Sequence, residues 1–247
     1  LNPKMFNSFL DGTKSGIEMA AVANATGLTP APEGLTFPAC PVEKIASTLI
    51  PESEGGKLHH KGQVEVISSR GRNGIDLEND LRWGVYVTFE APSEYVERCF
   101  ADYGLTTDAS GKYSALWRPC HLIGLELGIT VATAALHGLP TGTPTEFRAD
   151  VVACAKRHLA KGEVVDGEGG YTVWGRLMGA SDSLSHGAVP IGLANGLILK
   201  NPVDESAVLK WSDVDTPDEN ASVALTLRRE MEATLGPRTG IVRAATG

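Results

Sequence analysis

Two glycines four residues apart, Gly12 and Gly16, lie inside a helical stretch that also carries Asp11, Lys14, Ser15 and Glu18. The stretch runs from Asn2 to Gly27, and both ends are marked. Asn2 can cap the first free amides, and Pro3 stands where a missing N–H costs nothing. Gly27 suits the left-handed residue that closes a helix. The pattern predicts one helix over 2–27. On it, spacings of three and four put Asp11, Lys14 and Glu18 on one side. Gly12, Gly16 and Ala20 form a second stripe. A glycine inside a helix costs roughly 1 kcal/mol relative to alanine. Such a cost is expected where another helix or a ligand must approach the backbone closely.

Two readings of the charged side stand open. In one, Lys14 and Glu18 form a solvated i,i+4 pair, common and weakly stabilising. In the other, the polar side is short and bounded by Phe6, Phe9, Leu10, Ile17, Met19 and Val22, so the helix is mostly buried. Buried charges need partners, and acid/base clusters in partly buried clefts are candidates for proton transfer.

Composition narrows the classes. The chain has 247 residues, room for one large domain or two small ones. Its net charge of -8 argues against a nucleic-acid binder, which needs a basic face. No apolar run reaches the roughly 18 residues of a membrane span, and no signal peptide is visible. A soluble, cytoplasmic protein is expected. The first residue is Leu, which suggests the downstream part of a longer protein. Cys40, Cys99, Cys120 and Cys154 are widely spaced and are expected as free thiols, with neither a disulfide framework nor a zinc knuckle. His59 and His60 are read as a solvated loop pair, without a third metal ligand at a recognisable spacing.

Along the chain, a Pro-rich loop over 29–41 follows the first helix. A short helix is expected over 42–49, strands over 63–69 and 83–91 from their alternation, and a third strand or extended segment over 113–118, stopped by Pro119. Ser93 can cap a helix over 92–103, and a long helix is expected over 121–136, ended by Gly138. This first part, 1–145, is α+β, with helices packed on a small antiparallel sheet. After Pro140-Thr-Gly-Thr-Pro144 the elements become short and glycine-punctuated, and an all-β domain is expected over 146–218. A faint repeat relates Ala155–Asp166 to Leu199–Val214. A short amphipathic helix over 222–235 and a frayed tail from Arg238 complete a C-terminal part over 219–247.

A family resemblance rests on particular runs. Lys156-Arg-His-Leu-Ala-Lys-Gly-Glu-Val164 and Val208-Leu-Lys-Trp-Ser-Asp-Val214 resemble the SAF domain, a small β-clip module. Asp11-Gly-Thr-Lys14-Ser-Gly-Ile-Glu18-Met-Ala-Ala-Val-Ala-Asn24-Ala-Thr-Gly27-Leu and Arg118-Pro-Cys-His121-Leu resemble homoserine-dehydrogenase-like oxidoreductases that carry a C-terminal SAF domain. One branch of that group acts like 1-deoxy-D-xylulose 5-phosphate reductoisomerase. The resemblance implies a catalytic and dimerisation domain, hence a homodimer, preceded by a Rossmann domain that binds NADP(H). No G-x-G-x-x-G occurs here, so the phosphate-cradling loop is missing and the chain alone is expected to be inactive and to bind no cofactor or metal. In homoserine dehydrogenase the equivalent helix presents an Asp and, four residues on, a Lys. Here Lys14 precedes Glu18, which points to a different hydroxy or oxo compound.

For hydride transfer at a carbonyl, a protein must polarise the oxygen and move a proton. Lys14 is the choice for that group, with Asp11 and Glu18 orienting it or binding hydroxyls. Ser15 and Asn24 are assigned to the substrate, Asn24 with a structural alternative. Arg118 and His121 flank Pro119 at a strand-to-helix junction suited to a phosphate or carboxylate, with Glu126 further along the helix. Lys156 and Arg157 are read as surface charges. The competing function class is a carbohydrate-binding or assembly module built on the β-clip, without chemistry of its own.

Overall fold

The first helix breaks where the glycine stripe begins. The structure, a computed structural model, describes residues 2–122, 124–215 and 222–236. Asn2 caps helix α1 (Pro3–Leu10) by accepting from the Lys4 amide at 3.1 Å. The helix ends at Asp11, and Gly12 turns left-handed with φ 84°. Helix α2 (Thr13–Thr26) then starts afresh and is closed by Gly27 at φ 80°. The single helix expected over 2–27 is therefore two. Gly12 takes a conformation open to glycine at little cost, and the Asp11 Oδ1 accepts from the Thr13 amide at 3.0 Å, starting the second helix.

The chain divides into two units, Leu1–Leu35 with Pro144–Gly247, and Thr36–Thr143. In the first, α2 lies on an antiparallel pair, β3 (Ala149–Ala155) and β4 (Val173–Gly179), in register from Ala149 opposite Gly179 to Ala155 opposite Val173. Thr13, Gly16, Ala20 and Ala23 are the buried side of α2. Their spacing of three and four makes one helical stripe. A Cβ on Gly16 would touch the Gly175 carbonyl, Val151 and Leu177 at 3.5–3.7 Å. The expected close approach is therefore that of a sheet.

β3 is buried along its whole length. Beyond β3 and β4, single bridges such as Leu159 with Val203, Val164 with Ile198 and Leu199 with Val214 tie the segment together, around Val152, Leu159, Val173, Val189 and Leu209. Helix α6 (Ala180–His186) interrupts the all-β reading of this stretch. Ser222 caps α7 (Val223–Leu235), whose Leu225 is buried. The expected tail from Arg238 lies outside the described residues.

In the second unit, Cys40, Ile45, Leu49, Leu58 and Leu81 form the core, with Tyr86 and Ala115 packed on it. Helix α3 (Ile45–Thr48) contributes its buried Ile45. Strands β1 (Val85–Glu90) and β2 (Tyr113–Arg118) pair antiparallel, Val87 opposite Leu116. Ser93 caps α4 (Glu94–Asp102), and Phe100 meets Phe89 edge to face at 5.6 Å. No strand forms over 63–69. Glu65 turns inward and accepts from the amides of Thr36 and Phe37 and from the Thr36 hydroxyl. Those bonds take the place of a ladder. The helix expected from His121 begins later, as α5 (Leu127–His137). No helix of the described residues is long and apolar enough to cross a membrane.

Candidate functional site

The start of α2 gathers four of the expected residues, Asp11, Lys14, Ser15 and Glu18. Gly12 occupies the N-cap and has no side chain to cap with. A side-chain oxygen there would normally take an amide of the second or third helical residue, Lys14 or Ser15. Those amides are left at the positive end of the helix. The Lys14 and Ser15 side chains are half-buried beside them, and Glu18 is exposed one turn on. Among the described residues the Lys14 ammonium has neither an ion pair nor a hydrogen bond, so the solvated Lys14–Glu18 pair does not form.

Asp11 is engaged elsewhere. Its Oδ2 lies 2.7 Å from the Lys156 ammonium, which also donates to the Gly170 carbonyl at 2.7 Å. Lys156 is thus no free surface charge. It stands just past the buried end of β3 and fixes the α1–α2 junction. Arg157, the next residue, is exposed and pairs with Glu163. No spacing in the sequence links 11 to 156. The only local signal is a lysine directly after an unbroken buried strand.

The turn after Asp166 completes the support. Lys4 donates to the Asp166 carbonyl at 2.9 Å, Asn7 to the Gly169 carbonyl at 3.1 Å, and the Ser8 hydroxyl to Glu168 at 2.5 Å. A Cβ on Gly169 would come within 1.9 Å of the Lys4 carbonyl oxygen, so only glycine fits under α1 there. Burial raises the Asp166 pKa. Bonds from the Thr172 hydroxyl and the Tyr171 and Thr172 amides outweigh that and hold it below the ordinary carboxylate value. Asn24, at the far end of α2, spends its amide on backbone. It accepts from Arg148 and Ala149 at 2.7 and 2.9 Å and donates to the Ala149 carbonyl at 3.0 Å.

Arg118, His121 and Glu126 belong to the other unit. The Arg118 guanidinium, at the end of β2, pairs with Glu126 at the N-cap of α5. A carboxylate of the chain itself therefore faces the cation expected to meet an anion. His121 is exposed, and its amide donates to the Trp83 carbonyl at 2.8 Å. A hollow of about 310 Å³ in the same unit is lined by Val42, Glu43, Ala46, Leu116 and Trp117 among others.

Chemically, the start of α2 can hold an anionic or polarised oxygen, through two amides, a hydroxyl and an ammonium without a counter-ion. Among the described residues no cluster of three metal-ligating side chains occurs. A comparison with curated proteins finds no match. A family model described as "Oxidoreductase DRL, catalytic domain" matches residues 1–127, just over half of the chain and including the start of α2. The chain belongs to that family and carries an oxidoreductase catalytic domain.

Proposed function

We propose that the chain is the substrate-binding and catalytic portion of an NAD(P)-dependent oxidoreductase acting on a small hydroxy or oxo compound, phosphorylated compounds included. The observation that carries this reading is the uncompensated Lys14 ammonium at the open end of α2, with the nearby Asp11 already committed to Lys156. A carbonyl oxygen placed there gains charge as hydride arrives. The ammonium and the amides stabilise that charge more than they stabilise the ground state. Lys14 then supplies the proton to the new alkoxide, or takes it in the reverse direction. Ser15 binds the same oxygen or its neighbour, and Glu18, exposed and one turn away, takes a substrate hydroxyl. Asn24 acts through the backbone it clamps. Within the other unit, Arg118 is assigned to an anionic group, for which it would exchange Glu126, with His121 exposed close by in sequence.

This reading assigns no dinucleotide site to the chain's own residues. The sequence has no glycine cradle of the G-x-G-x-x-G type. The hydride carrier in this reading, NADP(H), is held by a separate nucleotide-binding domain of the parent protein. The test is NADPH oxidation by the chain joined to that domain, against a panel of oxo-acids and phosphorylated ketoses. Lys14→Ala is expected to lower turnover by about 100-fold or more. Unchanged turnover removes Lys14 from the mechanism. The isolated chain is expected to show no NADPH binding by calorimetry, and tight binding there would sink the separate-domain part of the reading.

A further inference from the structure

The hollow in the second unit has about 310 Å³, at the lower end of the range in which proteins hold small molecules. One wall is the turn Val42–Lys44 with the start of α3, which brings Val42, Glu43 and the buried Ala46. The facing wall is the end of β2, with Ala115 and Trp117, and Leu105 adds to it. Alternation along β2 puts Trp117 on the same side of the sheet as Ala115. Ala115 packs on the core that contains Ile45 of α3, and so does Tyr86, the residue opposite Trp117. The indole therefore stands on the α3 side of the sheet, over the hollow. Trp117 keeps 47% of its surface exposed, which leaves the ring free to meet a guest.

Two features set the chemistry of that guest. The first is charge. Among the described residues the Glu43 carboxylate has neither an ion pair nor a hydrogen bond, and no Lys, Arg or His lines the hollow. Burial is the main cause of the raised Cys40 pKa, and the Glu43 charge adds to it, so this carboxylate acts toward the core as well as toward solvent. The second feature is the strand edge. The Ala91 amide donates to the Lys112 carbonyl at 2.8 Å, and the β1–β2 register then turns the backbone of Lys112, Ser114, Leu116 and Arg118 toward β1. The carbonyls of Tyr113, Ala115 and Trp117 face the other way. That of Tyr113 takes the Asp108 amide at 3.0 Å, while those of Ala115 and Trp117 meet no donor among the described residues. A primary ammonium has three donors and no acceptor. Here it can meet a carboxylate and an edge carbonyl, its charge is attracted to the indole face, and the apolar side chains cover its stem. A carboxylate or phosphate would find an acid, carbonyl oxygens and no cation.

We propose that this hollow binds a small primary amine with an apolar body, Glu43 serving as its counter-ion and Trp117 as its aromatic wall. Titration of the 247-residue chain with 2-phenylethylamine at neutral pH, followed by NMR of the backbone amides, tests it. Saturable shifts are expected at Ala46, Leu105 and Trp117, with a Kd of about 1 mM or below, as befits so small a ligand. 2-Phenylethanol, which lacks the charge, is expected to bind at least about 10-fold more weakly, and 3-phenylpropionate not to bind. Glu43→Gln is expected to weaken the amine by at least about 10-fold and Trp117→Leu by about 3-fold. Glu43 is exposed, so its replacement is expected to leave the thermal midpoint unchanged, and it decides the matter should Trp117→Leu fail to fold. Glu78→Gln, at an exposed acid outside the hollow, separates a site from diffuse attraction to a chain of net charge -8, and is expected to bind the amine as the wild type does. No saturable binding, equal affinity for the amine and the alcohol, full affinity in Glu43→Gln, an equal loss in Glu78→Gln, or shifts confined to residues away from the hollow would each overturn the proposal.

Discussion

The Lys156 ammonium and the Asp11 carboxylate meet at 2.7 Å, with 24% and 16% of their side-chain surfaces exposed. Asp11 does two things at once. One oxygen holds Lys156, and the other starts α2 by accepting from Thr13. Losing either partner strands a half-buried charge, which costs less than the 3–5 kcal/mol of a fully buried pair. Lys156→Met and Asp11→Asn are each expected to lower the free energy of unfolding in urea by about 2 kcal/mol. The double variant should lose clearly less than the two singles added together. Strict additivity would show that the two side chains do not act as a pair.

Local signals in the sequence told the truth about local structure. Ser93 and Ser222 cap the helices expected there, the alternation over 83–91 marks β1, and the strand or extended segment expected over 113–118 is β2. The Gly16 and Ala20 stripe announced a close neighbour, which is the β3–β4 pair. Alternation alone could not separate β1 from the Val64–Val66 run, because Glu65 finds its bonds with Thr36 and Phe37, far away in sequence. The break at Gly12 was hidden for a related reason. A glycine reads equally well as packing space or as a left-handed turn. The Asp11–Lys156 contact and the grouping of Leu1–Leu35 with Pro144–Gly247 are set by tertiary packing, which has no period to read.

Two glycines facing each other across the α2–sheet contact are expected to respond in opposite ways. A Cβ on Gly16 would sit at ordinary contact distance, 3.5 Å or more from its neighbours. Gly16→Ala should therefore be neutral or stabilise the chain by up to about 1 kcal/mol, the helix cost of glycine. A Cβ on Gly175 would lie 2.7 Å from Val151 and 2.8 Å from Thr13. The Gly175 amide also donates to the Thr13 hydroxyl at 2.7 Å. Gly175→Ala must push α2 off the sheet and should cost about 1–3 kcal/mol, as overpacked cores do. Thermal melts of the two variants, side by side, check both signs.

The four thiols are free, and burial sorts them. Cys40 and Cys154 are fully buried, while Cys99 and Cys120 are partly open. Burial pushes the Cys154 pKa from 9.0 up to about 11, with nearby Arg176 only partly opposing it. Cys40 is raised too, chiefly by burial. Alkylation of the native chain near pH 8 should label Cys99 and Cys120, and the other two only after unfolding. The folded state holds the Cys154 proton more tightly than the unfolded state. That contribution is fully present below about pH 9 and is lost as pH rises toward 11, a fall on the order of 2–3 kcal/mol. Cys154→Ala should flatten the alkaline fall measured by urea titration at a series of pH values. An unchanged fall would place its origin in another group.

Helix α7 is held by its buried Leu225, by Arg229 over the Trp211 ring at 5.1 Å and, most deeply, by Arg228. The Arg228 guanidinium grips Asp150 at the start of β3 through two parallel bonds of 3.0 and 2.6 Å, and its Nε donates to Glu232 at 2.6 Å. Asp150 also accepts from the Val151 amide and the Ser183 hydroxyl, and the guanidinium lies 4.9 Å from the centre of the Phe147 ring. Side-chain exposures of 12% and 7% make this a buried pair. Removing the arginine leaves Asp150 charged, buried and short of two donors. Arg228→Met is expected to cost about 3 kcal/mol and to expose α7 to protease. Arg228→Lys keeps the charge but cannot form the fork over the ring, so it should recover less than half of that loss. Replacing both partners, as Asp150→Leu with Arg228→Leu, should restore much of it, since no unpaired charge remains in the core. A double variant as unstable as Arg228→Met alone would mean that the shape of the network, rather than its charge balance, holds α7 on the sheet.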